Sequence, residues 1–193
     1  MERERRARIA LGNETKVVRR IEQLEWQFKF AIAAWATVHS PDHRLNYVDA
    51  YDDRAHTLSR EEMTLSPEEE EMASNLNLWS AALLLAVQLN VALDKIQPDH
   101  FDRPIAELRA AQIIVRLVRH AFAHNPLEPT WKIPEELRDQ AFIVPGIITL
   151  DTHEIQGTHV NLWRLGPSSF LRLAHWLRTG YRPPTPSAGG RTA

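Results

Sequence analysis

The sequence contains no cysteine, and this absence excludes several classes of chemistry. Disulfide bonds, thiol nucleophiles, cysteine-ligated zinc fingers and iron–sulfur clusters all require that residue. The chain also lacks a glycine-rich phosphate loop, a Walker motif and the Gly-x-Ser-x-Gly elbow of serine hydrolases. The composition therefore gives no support to thiol, serine-elbow or P-loop mechanisms.

Long apolar stretches are lacking as well. The longest strongly apolar run is WSAALLLAV at 79–87, which is far shorter than the roughly 20 residues that cross a bilayer. The first residues, MERERRARIALGN, contain no apolar core of signal-peptide length. We therefore expect a cytoplasmic protein that makes no contact with a membrane.

Lysine is scarce, and the basic side chains are mostly arginine. The formal net charge is -2, so no global positive field attracts nucleic acid, and any contact with RNA or DNA needs a local basic patch. Arginine is suited to such a patch because its planar guanidinium binds phosphate through two hydrogen bonds.

The size and composition indicate one soluble globular domain. The chain has 193 residues, of which 44% are hydrophobic and 25% are charged. Its last residues, YRPPTPSAGGRTA, are rich in proline, glycine and small side chains. We expect a single helical domain over 1–180 and a disordered tail over 181–193.

The first predicted helix carries an apolar stripe from Val17 to Val38, with spacings that alternate between four and three residues. Asn13 or Thr15 can cap its start, and Pro41 follows its end. The polar, irregular stretch 41–65 is interpreted as a long connection.

The second predicted helix begins at a capping box. Ser66 is the cap, Pro67 occupies the first helical position, and Glu69 lies three residues after the cap. Apolar residues on two faces indicate a helix in the middle of a bundle, running from 67 to about 96 because Pro98 follows.

The third predicted helix starts near Asp102 and Pro104 and ends before Pro126, whose ring disfavours a helical Asn125. After it, AFIVPGIITLD and GTHVNLW predict a β-hairpin with 142–150 paired to 158–163.

A last short helix is predicted in GPSSFLRLAHWLRTG, with Phe170, Leu173, Trp176 and Leu177 facing inward and Gly180 at its end. The expected fold is mainly α, a four-helix up-and-down bundle with a small β-hairpin inserted before the last helix.

The stretch VRHAFAHNP at 118–126 holds the candidate site. Arg119 falls on the apolar stripe of the third helix, so we expect its guanidinium to be paired or to face a cavity. His124 lies in the last helical turn, where the helix dipole favours its charged form and a nearby Arg119 opposes it. Together these effects predict a histidine that titrates near neutral pH, as acid–base catalysis requires.

Two other interpretations of this stretch stay open. Arg119 can instead pair with an acid of another helix while His124 caps the last carbonyls. His120 and His124 share a helix face and could chelate a metal, with a third ligand from Asp151, His153, His159 or His175. The sequence has no HExxH motif, and we predict no metal and no cofactor.

The hexapeptide RHAFAH, at the end of a helix in a small helical bundle, resembles the HEPN superfamily motif. That motif is an arginine, a polar residue, three variable residues and a histidine, and it matches Arg119, His120 and His124. The resemblance covers roughly 15–125 and implies a metal-independent endoribonuclease. It also implies a site at a homodimer interface and a place in toxin–antitoxin, phage-defence or RNA-processing systems.

The resemblance also implies roles for individual residues. His124 would be the general acid or base, Arg119 would stabilise the scissile phosphate, and His120 would orient groups or line the site. The residues expected to help bind RNA are Arg116, Asn125 and Lys132. A polar partner from the second helix is also expected, with Asn75, Asn77 and Asp94 as candidates.

The implied partners are RNA, a second copy of the chain and an antitoxin-type protein. The alternative function is a non-catalytic helical module of the same shape that binds a nucleotide or a partner protein, as a regulatory or immunity component.

Overall fold

The architecture is mainly helical, with two small antiparallel sheets. A computed structural model describes residues 15–43, 45–47, 50–52, 57–97 and 105–179. The elements are α1 (Thr15–Val38), β1 (Ala50–Asp52), β2 (Thr57–Ser59), α2 (Arg60–Met63), α3 (Pro67–Ile96), α4 (Ala106–His124), a 3-10 turn (Glu135–Leu137), β3 (Ala141–Val144), β4 (Ile148–Asp151), α5 (Leu162–Leu165) and α6 (Pro167–Arg178). The predicted start signals Asn13, Asp102 and Pro104, the stop at Gly180 and the tail 181–193 lie outside the described residues.

Helix α3 is the centre of the fold. Its predicted capping box is confirmed, because the Ser66 hydroxyl accepts the Glu69 N–H and the Glu69 carboxylate accepts the Ser66 N–H at 2.8 Å. The helix packs against α1, α4 and α6. One of its two apolar faces is buried, at Leu78, Leu85 and Leu89. The other is buried only toward the helix end, at Ala86 and Leu93, so the prediction of a middle helix holds for only part of α3.

Length and composition alone would allow α3 to cross a membrane. Half of its most apolar window is buried inside the fold, which is the property of a core helix. Length and composition are weak evidence for a membrane span when a single helix meets both requirements.

A buried amide network joins the end of α3 to the start of α4. The Gln112 side chain is 1% exposed, and its Nε2 donates to the carbonyl oxygens of Gln97 and Leu93. The Gln97 side chain accepts the Ile105 N–H at 2.7 Å and donates to Gln112 Oε1 at 3.4 Å. The last carbonyls of α3 therefore find partners on α4, which fixes the position of that helix.

A hairpin forms within the predicted first strand, 142–150, instead of between that strand and 158–163. Strand β3 pairs with β4, and Val144 faces Ile148 across a short turn. Pro145 and Gly146 form this turn; Gly146 has φ +70, and the Ile147 N–H donates to the Val144 carbonyl. Proline followed by glycine at positive φ is the signature of a type II turn, so the chain reverses in the middle of the predicted first strand.

The pairing of 142–150 with 158–163 was therefore wrong. Residues of the second segment instead meet the chain that follows α4, where His159 forms an isolated bridge with Thr130. The segment then enters α5, which Asn161 caps by accepting the N–H groups of Trp163 and Arg164.

The connection over 41–65 is also more regular than predicted. Strands β1 and β2 pair antiparallel, with Tyr51 opposite Leu58. Ser59 and Glu62 then form a second capping box at the start of α2. The prediction of an irregular connection missed the Ser-x-x-Glu signal, which has the same form as the one before α3.

Helix α6 closes the fold against α1 and α3. Phe170, Leu173 and Leu177 are buried as predicted, and Trp176 packs at the edge of the core. Arg178, in the last turn, donates to the Glu25 carboxylate of α1 at 3.3 Å. Glu25 is 3% exposed, so this ion pair compensates a carboxylate that the fold removes from water.

Candidate active site at the end of helix α4

Helix α4 ends where the sequence predicts. His124 is its last residue, and Asn125 has an extended backbone with φ -149 and ψ 98 before Pro126. The Asn125 side-chain oxygen accepts the N–H groups of Leu127 and Glu128 at 3.2 and 3.3 Å. Asn125 therefore shapes the turn that leaves the site, besides its predicted role in binding RNA.

The structure brings His120 and His124 together. Their Nε2 atoms are 2.8 Å apart, their ring centroids are 4.7 Å apart, and both side chains are exposed. One helical turn separates the two residues, so their shared face follows from the helix period. At this distance one nitrogen donates and the other accepts, and the tautomer of each ring decides which.

The surroundings of His124 favour its neutral form. The positive charge of Lys132 lowers the pKa of His124 below its ordinary value, with smaller contributions from desolvation and from His120. The sequence predicted opposing effects of the helix end and a nearby arginine. The cation that lowers the pKa is instead Lys132, which approaches from the segment after α4.

Arg119 is exposed, which contradicts its expected place on a buried stripe. In the part of the chain that the structure describes, its guanidinium has neither an ion pair nor a hydrogen-bond partner. Burial is continuous from Ala110 to Val115, but only one side of the last two turns is covered, by residues such as Val118 and Phe122. The buried face therefore runs beside Arg119 through Val118 and Phe122, and the guanidinium remains in solvent.

Within one chain, Arg119 and His124 do not share a face. Five residues along an ideal helix correspond to a rotation of about 140°, and no contact joins the two side chains among the described residues. The histidine pair and the arginine therefore project from the same helix end in different directions.

Arg116 and Asp94 form an ion pair at 2.8 Å between α4 and α3. The Asn90 amide donates to the same carboxylate at 2.7 Å, and its own oxygen is buried with no hydrogen-bond partner among the described residues. Of the predicted polar partners, Asp94 thus binds Arg116 rather than Arg119. Asn75 accepts the indole N–H of Trp35 at 2.9 Å, and Asn77 is half-buried.

The candidate third ligands for a metal are placed in a different part of the fold. Asp151, His153 and His159 line a cavity of about 400 Å³ together with Arg164. His153 is hydrogen-bonded to Asp139 at 3.0 Å. Among the described residues, no group of three or more histidine, aspartate or glutamate side chains is arranged to hold a metal ion.

The buried Gln112 is the residue of this region that the sequence interpretation missed. It interrupts the same apolar stripe seven residues before Arg119, so the polar side chain that needs a buried partner is Gln112.

Comparison of the chain with protein-family models, with curated proteins and with solved structures found no match.

Proposed function

We propose that this chain is a metal-independent endoribonuclease of the HEPN type, acting in the cytoplasm in a toxin–antitoxin or phage-defence system. The observation that supports this function is the exposed His120–His124 pair, whose Nε2 atoms lie 2.8 Å apart next to an exposed Arg119. The four longer helices, α1, α3, α4 and α6, would form the up-and-down bundle of that family.

RNA carries its own nucleophile, so the proposed reaction needs only a base, an acid and a cation. In the tautomer in which His124 donates to His120, the Nδ1 of His124 has a free lone pair and can accept the 2′-hydroxyl proton. The 2′-oxygen then attacks the adjacent phosphorus, and the bond from phosphorus to the 5′-oxygen breaks, giving a 2′,3′-cyclic phosphate. The 5′-oxygen takes its proton from water, and His124 then returns its proton to the solvent. The role of Arg119 is to stabilise the negative charge that develops on the phosphate oxygens.

A homodimer would solve the geometric problem of Arg119. Since Arg119 and His124 lie about 140° apart on one helix, a complete site can combine the arginine of one protomer with the histidine pair of the other. Lys132 lowers the pKa of His124 and so favours the neutral base. Lys132 and Asn125 both follow α4 in the sequence, and in this proposal they contact the RNA strand.

The direct test is incubation of the purified chain with mixed RNA in EDTA, beside Arg119→Ala and His124→Ala. We expect the unsubstituted chain to cleave RNA and each variant to lose at least about 100-fold of its rate. His175→Ala is the matched control, because His175 is an exposed histidine on α6. The proposal would be refuted if the unsubstituted chain leaves RNA intact, or if both alanine variants cleave RNA as fast as the unsubstituted chain does.

Mixing the two inactive variants tests the shared site. If each site takes Arg119 from one protomer and His124 from the other, half of the mixed dimers are heterodimers with one intact site. The mixture then recovers about a quarter of the original activity. A mixture that stays inactive while light scattering shows dimers would place the whole site within one chain and contradict the shared arrangement.

The second candidate function is a non-catalytic helical module that binds a nucleotide or partner protein. Its support is that Arg116 is engaged with Asp94 and that, among the described residues, Arg119 makes no contact with His124. This candidate would be favoured if the chain binds RNA in EDTA without cleaving it, and if Arg119→Ala weakens that binding.

A further inference from the structure

A second surface feature lies beside the turn that follows α4. Met72, Leu76 and Trp79, on one face of α3, form a groove with Leu127 on its other side. The groove encloses about 560 Å³. We call it the α3 groove; its remaining lining residues are Glu68, Glu71, Asn75 and Glu128.

The apolar residues of the α3 groove are unusually accessible. Met72 is 66% exposed and Leu127 is 61% exposed, although both are large apolar side chains. Leu76 and Trp79 beside them are half-buried. Methionine and tryptophan are typical of protein-binding surfaces, because methionine adapts its shape and tryptophan buries a large area.

Three carboxylates surround this apolar floor. Glu68 and Glu71 lie in the first turns of α3, and Glu128 lies on the opposite wall. Across the described segments, Glu68 and Glu128 have no ion pair, and Glu71 has only a 3.8 Å contact with His39. The helix dipole of α3 accounts for glutamates in its first turn, but it does not account for Glu128 or for the exposed apolar pair.

The wall of the groove is held in place on both sides. Asn75, which lines it, is hydrogen-bonded to Trp35, and the Trp35 ring lies 4.3 Å from the half-exposed Trp163. Leu127 and Glu128 are held by their hydrogen bonds to Asn125. A ligand in the groove therefore meets a preformed surface that continues toward exposed Trp163, which reduces the ordering cost of binding.

We propose that the α3 groove binds a cationic amphipathic helix of a partner protein. The apolar residues of the partner helix, one helical turn apart, would pack on Met72, Trp79 and Leu127. The arginines or lysines of that helix would contact the carboxylates. This is the helix-in-groove mode of recognition, and the sign of the charge follows from the complementary acidic rim. Binding here is distinct from RNA cleavage and is measured without RNA.

The probe is a fluorescent peptide of about 18 residues, long enough for a stable amphipathic helix, with leucine on one face and arginine on the other. Anisotropy titrations with the full chain should show saturable binding that weakens as salt is raised. The same peptide with glutamate in place of arginine should bind at least about tenfold more weakly, because its charges repel the rim. Equal binding of the two peptides would overturn the proposal.

Matched variants locate the binding surface. Glu128→Lys and Leu127→Ser should each weaken binding of the arginine peptide at least about fivefold. Glu135→Lys and Ile143→Ser are the controls, since both residues are exposed and lie outside the groove. Control variants that weaken binding as much as the groove variants would overturn the proposal.

Two further measurements distinguish other occupants. If glutamine in place of Arg3, Arg5, Arg6 and Arg8 in the full chain raises affinity for the probe at least tenfold, the groove belongs to the chain's own first segment. If Leu127→Ser converts a dimer to a monomer in sedimentation, the groove belongs to a second copy. Either result would overturn the proposal of a partner protein. The proposal would be supported if the glutamine substitutions leave the affinity for the probe unchanged and Leu127→Ser leaves the mass unchanged.

Discussion

Replacing Gln112 by methionine should destabilise the fold, although the two side chains have similar size and helix propensity. Gln112 is 1% exposed on α4 and donates to the Gln97 and Leu93 carbonyls at the end of α3. Methionine supplies no donor there. The Gln97 carbonyl and the Gln97 amide would each lose their contact with Gln112.

The expected size of the effect follows from these two groups. An unsatisfied buried polar group costs about 1–3 kcal/mol, and the 3.4 Å bond to the Gln97 amide places its loss at the low end. Burial of the methionine side chain offsets about 1 kcal/mol. The net loss in the free energy of unfolding is therefore about 2 kcal/mol, which lowers Tm by about 4–8 °C for a chain of this length.

Urea denaturation followed by circular dichroism measures this loss, with thermal scans as a second readout. Gln23→Met is the control, because Gln23 is exposed on α1 and its replacement should change stability by less than about 0.5 kcal/mol. If Gln112→Met is no less stable than Gln23→Met, the amide network does not fix α4 in the way described.

Three other changes have defined outcomes. Lys132→Gln should raise the pKa of His124, because it removes the main charge that lowers it; histidine NMR titration measures this directly. Because only neutral His124 accepts a proton, the acidic limb of any RNA-cleavage profile should move to higher pH. Ser66→Ala removes the cap of α3 and should lower the unfolding free energy by about 1 kcal/mol in urea denaturation. Arg178→Met leaves Glu25 buried without its partner and should cost about 2 kcal/mol in the same assay, since Arg178 itself is partly exposed.

The two stability predictions have matched control variants. Ser80→Ala, at an exposed position in the middle of α3, and Arg172→Met, at an exposed position on α6, should leave stability nearly unchanged. A His124 titration that is identical with and without Lys132 would contradict the electrostatic origin of the shift. Stability losses at the control positions that match those of Ser66→Ala and Arg178→Met would contradict the contacts assigned to Ser66 and Arg178.

The long helices could be predicted because their signals are local. The Ser66–Glu69 capping box and Pro126 set the start of α3 and the end of α4 with no reference to the rest of the chain. The hairpin was misplaced because the predicted first strand, 142–150, was extended through Pro145 and Gly146, whereas these two residues form the turn. The Pro-Gly turn signal was present in the sequence, and it determines the chain reversal more strongly than the β-branched residues around it favour a continuous strand.

The site was harder to predict because burial depends on neighbouring helices. Gln112 and Arg119 are one heptad apart on the same stripe, yet Gln112 is buried and Arg119 is exposed. Only the packing of α3 against the start of α4 distinguishes them. The His120–His124 contact follows from helical spacing, but the approach of Lys132 depends on the path of the chain beyond the helix.

The ion pair between Arg178 and Glu25 also sets the order in which the chain can mature during synthesis. The two residues are separated by 153 positions. At about 5–20 residues per second, Glu25 is synthesised about 8–30 s before its partner. We expect α1 to remain sensitive to protease throughout that interval, so nascent chains stalled before α6 should be cleaved in α1 and full-length chains should not. A stalled chain whose α1 resists protease would show that the helix reaches its final packing without α6.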